Sequence, residues 1–184
     1  MKILKFLFCL VFIICSSCNK QSIEEIINNQ VSTMSNMAEL GTVEYTISKI
    51  IKANDETFYT IGDRKILFSC QATVKAGIKL DDFSTKNVTY DKASNSISVK
   101  LPKPSILALN MPAEKVKLEY VKIGTFRSNF SAEERNELLK QGEEDIRTDL
   151  PNLGILNDAQ KNAELFFKSF FSRLGIEKVT IEFI

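Results

Sequence analysis

The sequence contains no histidine and no tryptophan, and only seven glycines among its 184 residues. Without histidine, the commonest zinc ligand and the commonest general base at neutral pH are both missing. The glycines stand singly, so a glycine-rich phosphate cradle has little raw material. The chain also lacks a G-x-S-x-G elbow, an H-E-x-x-H helix and a pair of C-x-x-C motifs. These absences remove most of the support for serine hydrolase, zinc hydrolase and dinucleotide enzyme readings, although distant residues can still assemble a site that spacing does not show. No cofactor is expected.

An excess of one charge is missing as well. The chain has 24 basic and 23 acidic residues. A chain so balanced exerts no bulk electrostatic pull on nucleic acid, which is not expected as a partner. The longest apolar run, residues 6–15, has ten members. As a helix it would rise only about 15 Å, where a membrane span needs about twenty residues.

What is there begins with that run. Lys2 and Lys5 precede it, and Cys15, Ser16 and Ser17 lead into Cys18. A positive start, a short apolar stretch and small residues before a cleavage point form a secretory signal. The arrangement resembles a bacterial lipoprotein signal, in which the cysteine after the small residues is acylated, palmitate being one such chain, and becomes the new N-terminus. Residues 1–17 are therefore expected to be a signal peptide, Cys18 the lipidation site and residues 18–22 the anchor and a short tether. Such an anchor would hold the protein on a membrane of the cell envelope, inner or outer, since each buried methylene contributes about 0.8 kcal/mol. An ordinary signal peptide ending near a cysteine is the alternative. With Cys9 and Cys15 gone and Cys18 acylated, Cys70 is left without an intramolecular disulfide partner.

A hydrophobic share of 44% and a charged share of 26% suit one globular domain, placed at residues 23–184. Ser22 followed by Glu25 reads as a capping box, and apolar residues from Ile23 through Met34 to Leu40 recur at helical spacing, with Gly41 as the stop. From Thr42 the period is two: Val43, Tyr45 and Ile47, then a β-prone stretch at 57–61, then a long alternation from Ile66 through Cys70 to Ile78. Residues 87–91 and 96–101 suggest a hairpin, residues 106–111 an apolar segment bracketed by prolines, and residues 116–123 a further strand. A single sheet region is expected from Thr42 to about Ile123. Ser131 with Glu134 opens a second capped helix running to Leu150, and a third runs from Asn157 to Gly175 with Phe166, Phe167 and Phe170 on its core side. Val179, Ile181 and Phe183 close the chain as a strand expected to join that sheet. The fold class is α+β: a largely antiparallel sheet carrying an N-terminal helix and two C-terminal helices.

Candidate sites are sparse, and no catalytic residue can be named. Arg64 and Lys65 sit in a turn feeding the long strand, and Arg127 lies between Phe126 and Phe130 just before a capped helix start, so the three are candidate anion contacts. The plain alternative places both rings in the core and Arg127 on the rim. The acidic helix after Ser131 reads first as a solvated face laced with weak ion pairs, and only then as a hard-cation site.

Residues 42–51, residues 59–76 with Ile61-Gly62-Asp63-Arg64-Lys65, residues 124–142 with Phe126-Arg127-Ser128 and Glu134-Arg135-Asn136, and residues 175–183 together resemble the family catalogued as domain of unknown function 4230, found in many bacterial envelopes. The resemblance spans the chain from about Glu39. It implies an N-terminal membrane anchor and no activity. The expected role is a non-catalytic binding or structural module with an envelope protein as partner. A carboxylate-dependent hydrolase and a carrier of a lipid-like ligand are the alternatives.

Overall fold

The computed structural model describes residues 22–55 and 62–184; Cys18 and the stretch 57–61 lie outside the described residues. Its first helix, α1 (Ile23–Ser35), starts where Ser22 Oγ accepts the Glu25 N–H at 3.2 Å while the Glu25 carboxylate accepts the Ser22 N–H at 3.1 Å. Ile27, Val31 and Met34 form its buried stripe. The helix stops before the expected Leu40, because strand pairing already claims Glu39 opposite Lys79 and Leu40 opposite Ile78. Gly41 is thus a strand residue beside a register shift, not a helix stop.

Strands β1 (Glu39–Asp55) and β2 (Arg64–Lys79) form a long antiparallel ladder. The even-numbered residues of β2 from Ile66 to Ile78 are buried, Cys70 among them, as the alternation requires. Strands β3 (Val88–Asp91) and β4 (Ser96–Leu101) make the expected hairpin. Strands β5 (Ser105–Asn110) and β6 (Val116–Ile123) follow one another along the free side of β2.

The sheet is not continuous. β1, β2, β5 and β6 make one sheet, and β3, β4 and the closing strand β7 (Lys178–Phe183) make another. Pro102 and Pro104, which have no N–H to offer a ladder, stand between β4 and β5 where the chain crosses from one sheet to the other. β7 keeps its alternation, but it runs parallel to β4 in the smaller sheet. The architecture is α+β.

Helix α2 (Ala132–Asp149) opens on the second capping box, Ser131 with Glu134. After Pro151 and the left-handed Gly154 (φ 75°), helix α3 (Ile155–Arg173) begins. Its core face is Ile155, Ala159, Ala163, Phe167 and Phe171, a strict four-residue step. Phe166, expected inside, is 42% exposed, and Phe170 is only partly buried. The periodicity therefore selects Phe171 in place of Phe166.

Two cores result. One lies between α1, the smaller sheet and the end of α3 with Phe167 and Phe171; the other lies between the long sheet, α2 and the start of α3. No described helix is long and apolar enough to cross a membrane.

Candidate functional site

Asp55 ends β1 and Arg64 begins β2, and the ladder sets them directly opposite each other. Arg64 Nη2 donates to Asp55 Oδ2 at 2.6 Å and to Glu134 Oε1 at 2.7 Å, and Nη1 donates to Glu134 Oε2 at 3.3 Å. Glu134 reaches this position because the Ser131 cap fixes the first turn of α2; its Oε2 also accepts the Ser131 N–H at 2.7 Å. Below the guanidinium lies the Phe130 ring, its centroid 4.5 Å from Arg64 Cζ. Arg127 closes the cluster by donating to Asp55 Oδ2 and to the Gly62 carbonyl.

The turn that delivers Arg127 is held by backbone. Gly124 N–H donates to the Asp63 carbonyl at 2.9 Å, and a Cβ on Gly124 would stand 2.8 Å from Gly62 Cα. Gly62 itself has φ 96°, a conformation that side chains disfavour. Two glycines at a backbone crossing are what the geometry needs.

Arg64 and Arg127 are thus brought together on Asp55, whereas Lys65 lies on the other face of β2, opposite Lys122. Inverting the plain expectation, Arg127 has a side chain only 10% exposed and Phe126 is 78% exposed; Phe130 is the ring that enters the core. Asp55 and Glu134 were not legible as partners, since Glu134 is fully accounted for locally by its cap and Asp55 by a turn.

Electrostatically the cluster sets two guanidinium groups against two carboxylates. Hydrogen bonds from Arg64, with its charge and that of Arg127, hold the Asp55 carboxyl below the usual carboxylate range. Arg64 and the Ser131 N–H do the same for Glu134. Both carboxylates stay ionised at neutral pH, whereas a hydrolytic pair needs one raised enough to donate a proton. The arrangement is a charge-balanced clasp between β1, β2, the turn after β6, and α2.

Elsewhere, Cys70 is buried, its thiol donating weakly to the Lys49 carbonyl at 3.4 Å, and burial pushes its pKa up. Along α2, Arg147 pairs with Glu143 at 3.3 Å on an exposed surface. Among the described residues no group of three or more acidic or cysteine side chains is disposed to hold a metal ion.

The other notable surface is the outward side of the long sheet and its β6 edge. Ile50 is 64% exposed, Tyr120 51%, Leu118 48% and Val121 40%. Two open hollows lie there, one of about 490 Å³ lined by Ser48, Ser69, Lys117 and Glu119, the other of about 500 Å³ lined by Lys52, Lys65, Leu67 and Tyr120.

A family model described as "Protein of unknown function (DUF4230)" matches residues 32–181. No curated protein and no solved structure matches the chain.

Proposed function

The chain belongs to the DUF4230 family, and from that premise we propose that it is a lipid-anchored protein of the cell envelope that serves as a non-catalytic binding module for a protein partner. One observation carries the binding role: apolar side chains stand in solvent at the β6 edge of the long sheet, Tyr120 on the side that no helix covers and Leu118 and Val121 on the helix side, with Ile50 exposed on β1. Exposed apolar side chains along an unpaired sheet edge mark a surface suited to a partner. Of the ring stripe Phe166, Phe167 and Phe170 that a lipid carrier would use, Phe167 is fully buried in core packing and Phe166 is 42% exposed, which favours the binding module over a carrier.

The anchor half of the proposal rests on the leader and on Cys18. Only three residues lie between Cys18 and the Ser22 cap, so the four steps of chain span at most about 14 Å. A domain held that close meets partners at the membrane surface.

Crosslinking in intact cells tests the reading, with the native chain compared against Cys18→Ala and with acyl label followed on Cys18. One reproducible protein partner, lost together with the label in the variant, is the expected result. Unchanged labelling and membrane retention in Cys18→Ala would remove the anchor. Turnover of a substrate that one carboxylate substitution abolishes would remove the non-catalytic assignment.

A further inference from the structure

Strand β6 pairs with β2 along one side and, among the described residues, with no strand along the other. Its alternate backbone N–H and C=O groups therefore face away from the sheet, the template that an added strand uses. The ladder fixes which side chains flank this edge. Val116, Leu118, Val121 and Ile123 lie opposite Cys70, Phe68, Ile66 and Arg64, on the helix side of the sheet; Lys117, Tyr120 and Lys122 lie opposite Ser69, Leu67 and Lys65, on the bare side. Glu119 is the extra residue at the register shift, and its carboxylate is turned back onto Ser69 Oγ.

The edge thus presents apolar Leu118 and Val121 on one face and cationic Lys117 and Lys122 on the other. We propose that β6 accepts an extended segment of the envelope partner as an added strand, one whose residues alternate between apolar and acidic. This rests on the binding reading above and names the partner's chemistry. Acidic side chains would face Lys117 and Lys122 while apolar ones lie over Leu118 and Val121, and opposite charges across a ladder stabilise it where like charges destabilise it. A second copy of this chain fits less well. Pairing β6 with itself over its full length, with like faces together, sets Leu118 against Val121 but also Lys117 against Lys122, twice.

The probes are two capped octapeptides, alternating valine with glutamate and valine with lysine, added to the detergent-solubilised full chain. Hydrogen exchange is read along residues 116–123. The glutamate peptide should protect outward amides of β6 and bind about tenfold more tightly than the lysine peptide, two reversed cross-strand charge pairs being worth roughly that factor. The exposed double substitution Lys117→Glu with Lys122→Glu should reverse the preference in a chain that still unfolds cooperatively on heating. No protection of β6, equal affinity for both peptides, or β6 protection that depends only on protein concentration would each overturn the proposal, the last in favour of a second copy. A cellular partner captured equally by the double variant would sink this inference and leave the binding module standing. Loss of the Cys18 label alone would strike the anchor and leave the peptide result intact.

Discussion

Arg64 and Glu134 are joined by two hydrogen bonds although seventy residues separate them in the chain. The pair ties the start of β2 to the first turn of α2, and Asp55 completes it from β1. Because Asp55 and Glu134 have folded-state pKa values below their unfolded ones, the stability they contribute is complete above about pH 4 to 5 and is lost as pH falls through the folded values. Arg64→Met removes the largest cause of both shifts, leaving Arg127 on Asp55 and the Ser131 cap on Glu134. The Tm gap between native chain and variant should therefore be wide at pH 7 and close progressively below about pH 4. Thermal melts across that range test this; a gap of constant size would mean that Arg64 acts by packing on Phe130 alone.

Phe126 and Phe130 should behave oppositely. Phe126, 78% exposed, can become serine with a change within about 0.5 kcal/mol. Phe130, 6% exposed beneath Arg64, should cost about 3 kcal/mol or more as alanine. Denaturant melts of the two variants decide it, and equal losses would contradict the burial assignment.

Gly142 forms a notch in α2 that receives the Ile51 side chain. A Cβ there would lie 2.5 Å from Ile51 Cγ1 and closer still to Cδ1. Gly142→Ala should cost about 1–3 kcal/mol through overpacking, despite its better helix propensity. Ile51→Val, which lacks that Cδ1, should recover part of the loss, so the double variant is more stable than the two single costs predict. A double-mutant cycle showing simple additivity would disprove the notch.

The Cys70 thiol should resist alkylation in the folded chain and react at once in denaturant, since it is 2% exposed and burial disfavours its thiolate. Mapping the modified cysteine by peptide mass, with and without denaturant, gives the answer. Labelling of Cys70 under native conditions would show that the ladder over it opens readily.

What was legible in the sequence was local. Ser22 with Glu25 and Ser131 with Glu134 announce helix starts within four residues, and the period of two through Ile66 to Ile78 names the buried face of β2 without reference to any other segment. What was not legible depended on distant partners. The division into two sheets follows from β7 choosing β4, a pairing invisible in either strand alone. Arg127 is drawn in, its side chain 10% exposed, and Phe126 is left out because Asp55, seventy-two residues earlier, supplies the charge that makes enclosing a guanidinium tolerable. Arg64 and Arg127 were visible as a pair of cations near turns; that two carboxylates already balance them was not.

β2 and α3 each belong to both cores: Ala76 and Ile78 fall on opposite sides of the divide along β2, as do Ala159 and Ala163 along α3. Two rods thus run through both compartments, and neither compartment can lose its packing without loosening an element that the other depends on. Heating should accordingly yield a single calorimetric transition despite the split sheet, with calorimetric and van't Hoff enthalpies in agreement. A force applied through the start of α1 would meet the molecule as one mechanical unit and not as two halves that part in turn.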